Sequence, residues 1–253
     1  MKMLQEYVKV ILENEKRDAL GQAWENIFQQ IRAHRLQGAP VPDVNVDKLA
    51  TMMSIDHEYP TPRDAFVPTK YKTFDDWFLR RLTSQTLSQC INNSKNSDVC
   101  SPVEGRIMPE VPPNGKITLK KSVVEVEHLL HIMEGDDLVQ IALRKTDYHR
   151  VHSPFDGTIS SIETFEHNGL FENSEAMTIF EVQTSFGPAK LLCIGEATVQ
   201  TFITDFKPGV KIKKMQELGH FYFGSQVIIV LPHGLMIDRS PRKIFPGDPI
   251  AFV

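Results

Sequence analysis

The stretch Gly219-His220-Phe221-Tyr222-Phe223-Gly224-Ser225-Gln226-Val227-Ile228-Ile229-Val230-Leu231 decides the fold class. An aromatic segment runs into a Gly-Ser pair and leaves as an aliphatic, mostly β-branched run. Aromatic and β-branched side chains suit a pleated, buried surface. Gly224 between the two halves reads as a bulge or kink. Comparable short runs recur at Lys116–Val126, Val139–Leu143, Thr158–Ile162, Met177–Val182 and Leu191–Ile194, separated by Gly, Pro and Asn turns. The pattern predicts a β-rich core, sandwich- or barrel-like, over residues 101–253.

Ahead of that core the period changes. Leu4, Tyr7, Val8, Ile11 and Leu12, then Leu20, Trp24, Ile27, Phe28 and Ile31, follow helical spacing through residues 1–36. Such a face packs on its own domain or rests on a membrane surface; Trp24 and Phe28 favour the second, mixed charges the first. A short helical stretch is expected around Val46–Met53. Thr73 is placed to cap a helix over Phe74–Leu82, with Asp75 and Asp76 in its first turn. Residues 83–100, rich in Ser, Asn and Gln, read as a polar loop. The fold class is therefore α+β: a helical region over 1–82, then the core.

Within the core, Ser101-Pro102-Val103-Glu104-Gly105-Arg106-Ile107 matches Ser153-Pro154-Phe155-Asp156-Gly157-Thr158-Ile159 at an offset of 52 residues. Proline fixes φ, the acid can cap the turn, and glycine tolerates tight geometry. Each copy reads as strand–turn–strand, which makes a duplicated element of the core.

Composition narrows the function. Twenty-eight Lys+Arg against 32 Asp+Glu give a net charge of −4, against a nucleic-acid binder. Cys90, Cys100 and Cys193 form no CxxC pair, so neither a disulfide framework nor a zinc knuckle is expected, and a reducing, intracellular setting fits. The longest apolar run, Val227–Leu231, is five residues, far below the ~18 that span a bilayer. The chain is expected to be soluble or peripheral.

Chemistry concentrates in the histidines. His128 and His131 sit three apart on what reads as a short amphipathic helix; a metal would need further ligands, the local sequence offers only Glu125, Glu127, Glu134, Asp136 and Asp137, and surface histidines are expected. Asp147-Tyr148-His149-Arg150-Val151-His152-Ser153-Pro154 is denser. On a strand, His149 and His152 point to opposite faces. Lining one site together requires a tighter turn before Pro154. Ser225, at a glycine that permits unusual dihedrals, is a candidate nucleophile.

Taken together, Thr73–Leu82 (TFDDWFLRRL), Ser101–Gly105, Asp147–Pro154 and Phe223-Gly224-Ser225 resemble, in order and spacing, the phosphatidylserine decarboxylase family over roughly residues 45–253. The resemblance implies a self-processing enzyme whose cofactor is a pyruvoyl group derived from Ser225, with no metal and no PLP. Ser225 would attack the Gly224 carbonyl, with His152 as base, Glu104 orienting that base, and His149 acting in decarboxylation. Cleavage at Gly224–Ser225 would leave a β-chain of 1–224 and an α-chain of 225–253. The substrate would be phosphatidylserine, converted to phosphatidylethanolamine and CO2, with membrane contact through residues 1–36. A homodimer is left open, and no nucleic acid is involved.

Four features depart from the family pattern. Glu104 stands where Asp is usual, Gln226 where a threonine follows the serine, and Val124-Glu125 where a Tyr-Ser pair is common. Asn173-Ser174-Glu175 lacks a familiar arginine. These departures keep open the same chemistry on a soluble amino acid or small amine-bearing acid, and a non-catalytic β-rich binding module.

Overall fold

The computed structural model describes residues 65–67, 74–108, 116–119, 122–125, 136–144, 147–165, 176–195, 202–221 and 225–253. The helices expected over 1–36 and 46–53, the cap Thr73, the His128/His131 segment and Gly224 lie outside these residues.

Two helices precede the sheets among the described residues, α1 (Phe74–Phe78) and α2 (Ser84–Ser94). Helix α1 ends four residues short of the expected Leu82. Leu82 instead forms a β-bridge with Phe66, and Val67 N and Thr83 N bond to Arg81 O and Ala65 O. The segment expected as a polar loop is largely α2. Thr83, with φ −64 and ψ 157, caps it by accepting Thr86 N at 3.1 Å. Ser88 and Ser94 donate their hydroxyls back to Ser84 O and Ile91 O. Cys90 and Ser94 are its buried face. A capped start and a buried face outweigh the low intrinsic propensity of Ser and Asn here.

Sixteen strands follow among the described residues. They are β1 (Val99–Cys100), β2 (Gly105–Ile107), β3 (Lys116–Leu119), β4 (Ser122–Glu125), β5 (Asp137–Leu143), β6 (Arg150–His152), β7 (Gly157–Phe165) and β8 (Ala176–Thr184). Then come β9 (Gly187–Gly195), β10 (Phe202–Ile203), β11 (Lys211–Ile212), β12 (Glu217–Phe221), β13 (Ser225–Leu231), β14 (Met236–Ile237), β15 (Lys243–Ile244) and β16 (Pro249–Phe252). An eight-stranded sheet has the order β11-β7-β8-β9-β13-β5-β2-β15. Two three-stranded sheets, β1-β16-β14 and β10-β12-β6, and the β3-β4 hairpin complete the set. Neighbours pair antiparallel. The expected β-rich core is present.

Strand β13 lies inside the large sheet, between β9 and β5, and Val227–Leu231 are buried on both faces. This is why its sequence is a continuous apolar run rather than an alternating one. One hydrophobic cluster joins the large sheet (Ile141, Phe180, Val227) to both three-stranded sheets through Val151, Phe221, Val99 and Ile250.

The two Ser-Pro-x-acid-Gly segments make like bonds. Ser101 Oγ donates to Val103 O at 2.7 Å and Ser153 Oγ to Phe155 O at 2.6 Å. Gly105 opens β2 and Gly157 opens β7. The segments also hold each other: Cys100 N donates to Pro154 O and His152 N to Pro102 O, both at 2.9 Å. Glu104 and His152, separated by 48 positions in the chain, are thereby carried on neighbouring segments.

Candidate active site

Strand β6 and the residues leading into it form the centre of the site. Its backbone is extended and pairs with β12, with His152 opposite Glu217 and Arg150 opposite His220. The tight turn that would put both rings on one set of neighbours does not form, because pairing with β12 keeps Arg150–His152 a strand. His149 and His152 are both buried, and each has its own partners.

The His149 ring stacks on Phe78 of α1, with centroids 3.9 Å apart and planes at 26°. Its Nδ1 lies 2.7 Å from the Asp147 carbonyl. A carbonyl only accepts, so Nδ1 carries the proton and Nε2 holds a lone pair. That Nε2 is buried and has no hydrogen-bond partner. Burial, reinforced by Arg80, pushes the imidazole down to about 3, so it is neutral near pH 7.

His152 follows the same logic. Its Nδ1 lies 2.9 Å from the Met215 carbonyl, and its Nε2 lies 3.0 Å from Tyr148 Oη. Nδ1 is therefore the donor to Met215, and Nε2 accepts the tyrosine hydroxyl. Burial lowers the His152 pKa and raises that of Tyr148, so the pair is a neutral base held by a protonated phenol. Met215 has φ 67, a left-handed conformation uncommon for a residue with a side chain. Its amide donates to Ser153 O at 2.8 Å, and its sulfur receives the Cys100 thiol at 3.7 Å. The turn that presents the carbonyl is thus fixed from both sides.

Glu104 is buried, and the ring nitrogens of His152 face Tyr148 Oη and Met215 O. One carboxylate oxygen accepts Tyr148 N at 2.9 Å and the other lies 2.8 Å from Lys243 Nζ. The carboxylate reaches the backbone entering the histidine segment, while Met215 O fills the place at His152 Nδ1. Asp147 lies 3.5 Å from the same ammonium, and its other oxygen accepts Arg144 N at 2.7 Å. Burial and then Glu104 push Asp147 up to about 6, against the opposing pull of Lys243 and Arg144. Arg150 fastens the far side, donating from Nε to Leu79 O at 2.9 Å and from Nη1 to Glu217 at 2.5 Å.

Ser225 opens β13, opposite Leu143 of β5 and Gly195 of β9. Strand β5 ends at Leu143, and its chain turns through Arg144 and Asp147 into His149. On the other side Phe221, four residues before Ser225, donates its amide to His149 O at 3.0 Å. Four extended residues span at most about 14 Å.

Residues 74–250 match the family model described as phosphatidylserine decarboxylase. The chain belongs to the phosphatidylserine decarboxylase family. Similar curated proteins include the phosphatidylserine decarboxylase proenzyme of Glaesserella parasuis, 26% identical over 222 residues, covering 71% of this chain and 73% of that one. The Haemophilus ducreyi proenzyme is 27% identical, covering 65% and 69%. That of an Acinetobacter baumannii strain is 30% identical, covering 64% and 68%. Membership makes a decarboxylase of this chain and gives the buried acceptor at His149 Nε2 a context. An unsatisfied buried polar atom costs about 1–3 kcal/mol unless a ligand or reacting group meets it. The unmet His149 Nε2 suits a ligand or reacting group that brings a hydrogen-bond donor to it.

The sequence reading missed Tyr148, Met215, Lys243 and Phe78 as parts of the site. Tyr148 lay inside the quoted motif. Met215 acts through its carbonyl, which no side-chain pattern reveals. No helix among the described residues is long and apolar enough to cross a membrane.

Proposed function

We propose that the chain is a pyruvoyl-dependent decarboxylase that cuts itself between Gly224 and Ser225 and converts phosphatidylserine to phosphatidylethanolamine and CO2. The observation that carries this reading is the pair of buried, neutral imidazoles, each with Nδ1–H tied to a backbone carbonyl, with Nε2 of His149 unmet and Nε2 of His152 met by the Tyr148 hydroxyl. In self-cleavage the Tyr148 hydroxyl gives up its place at His152 Nε2, which takes the Ser225 hydroxyl proton as Oγ attacks the Gly224 carbonyl, and the amide becomes an ester. Loss of the Ser225 α-proton expels the Gly224 carboxylate and ends the chain 1–224. The dehydroalanine left at 225 takes up water and releases ammonia, leaving a pyruvoyl group at the head of 225–253. That group supplies an electron sink for decarboxylation.

Glu104 serves this chemistry by holding the backbone that enters the histidine segment. His149 acts in decarboxylation, where its Nε2 accepts and passes on a proton. Phe78 covers its ring and excludes water. Residues 101–253 form the catalytic core; the reciprocal bonds between its Ser-Pro-x-acid-Gly segments support its reading as two related halves. Residues 1–36 provide peripheral membrane contact. The test supplies freshly made protein with phosphatidylserine vesicles and, separately, with free serine. Phosphatidylethanolamine and CO2 from the vesicles alone are expected. Turnover of free serine alone would assign a soluble substrate, and no turnover of either would overturn the reading.

A further inference from the structure

Lys243 belongs to β15, and Glu104 lies just before β2, the strand with which β15 pairs. The register sets Ile244 opposite Gly105 and Lys243 opposite Arg106. This brings the ammonium to Glu104 at 2.8 Å and Asp147 at 3.5 Å, with only 21% of the lysine side chain exposed. Each carboxylate gives one oxygen to Lys243 and the other to a backbone N–H: Glu104 to Tyr148 N, Asp147 to Arg144 N. Asp147 N also donates to Arg144 O at 3.0 Å, closing the turn. The next link is the Asp147 carbonyl, which receives the His149 Nδ1 proton. One cation therefore anchors two carboxylates that pin the turn from which His149 emerges.

We propose that Lys243 is a positioning residue, whose ammonium holds Glu104 and Asp147 on the 144–149 turn and so fixes the His149 ring with Nε2 presented. The inference rests on the proposed function for its catalytic meaning and extends it. Self-cleavage would put Lys243 on the short chain with residue 225, and Glu104, Asp147 and both histidines on the long one. The ion pairs would then tie the cofactor-bearing chain to the residues that serve it. Without the ammonium, two buried carboxylates face each other, and a shared proton is the cheapest compensation. The charged groups acting on Asp147 are Glu104, which raises its pKa, and Lys243 and Arg144, which lower it. A site that depends on Lys243 for charge balance becomes pH-sensitive when the lysine is removed.

The experiment follows CO2 release from phosphatidylserine vesicles, per cleaved chain, from pH 6 to pH 8 in wild type, Lys243→Met and Lys243→Arg. Lys243→Met is expected to release CO2 slower at pH 8 by about tenfold or more and to recover toward pH 6, where a proton on one carboxylate replaces the ammonium. Lys243→Arg retains the wild-type profile. Equal slowing at every pH, or no slowing, would overturn the proposal. A second readout needs no cleavage: imidazole 15N shifts in full-length Ser225→Ala protein. There Lys243→Met is expected to lose the single Nδ1-protonated tautomer of His149 at pH 8, and Lys243→Arg to keep it. An unchanged tautomer in Lys243→Met would overturn the role. Should Lys243→Met not fold, Lys243→Arg decides through its profile and tautomer, a loss of either counting against the role. Failure of wild type to cleave or to release CO2 would count against the proposed function, leaving the tautomer measurement to judge Lys243.

Discussion

Replacing His149 by glutamine should remove a specific part of the acid sensitivity of the fold. The folded imidazole sits at about 3 and is fully buried, whereas an unfolded histidine titrates near 6.5. A depressed folded pKa contributes stability above pH 6.5, and that stability is lost as pH falls toward 3. Between pH 7 and pH 5 the unfolded chain gains most of one proton at this position while the native state gains almost none. Linkage converts this into a loss of about 2 kcal/mol from His149 alone. His152, also lowered by burial, adds to the loss. Asp147 works in the opposite sense, because its folded pKa is raised to about 6, and the native state takes up a proton through this window. The overall pH slope therefore mixes signs, and the difference between variant and parent isolates His149. The assay is urea unfolding at pH 7 and pH 5, in full-length Ser225→Ala protein so that a single chain is compared. Parent minus His149→Gln should give an acid-induced loss of about 2 kcal/mol in the parent that the variant lacks. The same pH dependence in both proteins would refute a buried, neutral His149. The lost stacking on Phe78 shifts the variant at both pH values and leaves this difference intact.

Glu104→Gln should leave His152 protonated at Nδ1 in imidazole 15N spectra of Ser225→Ala protein, because that proton goes to Met215 O; a change of tautomer would show that the carboxylate orients the base. Gly105→Ala and Gly157→Ala should each destabilise by about 1–3 kcal/mol, because a Cβ would lie 2.6 Å from Ala142 O or Gln183 O. Thermal melts check this, at about 2–4 °C per kcal/mol for a chain of this size; an unshifted melt would contradict the close strand approach.

The elements legible in the sequence were those with a local signature. Val227–Leu231 announced a strand buried on both faces, and Gly105 and Gly157 marked where strands begin against a neighbouring carbonyl. The histidine motif and Ser225 were legible as chemistry. Helix α2 was not, because its Ser and Asn residues weaken helix propensity while its stability comes from the Thr83 cap and a face carrying Cys90. The partners of the site were also hidden. Glu104 reads from sequence as the acid that serves His152, but only folding shows Met215 O already at Nδ1 and the carboxylate directed to Lys243. Such pairings join segments more than 60 residues apart, and a backbone carbonyl in a left-handed turn leaves no side-chain pattern.

The most direct test of the central claim is the intact mass of freshly made protein under denaturing conditions. The account predicts two chains, residues 1–224 and 225–253, the shorter beginning in a pyruvoyl group, and a single full-length chain for Ser225→Ala. A single uncleaved chain from the wild-type sequence under all conditions would contradict it.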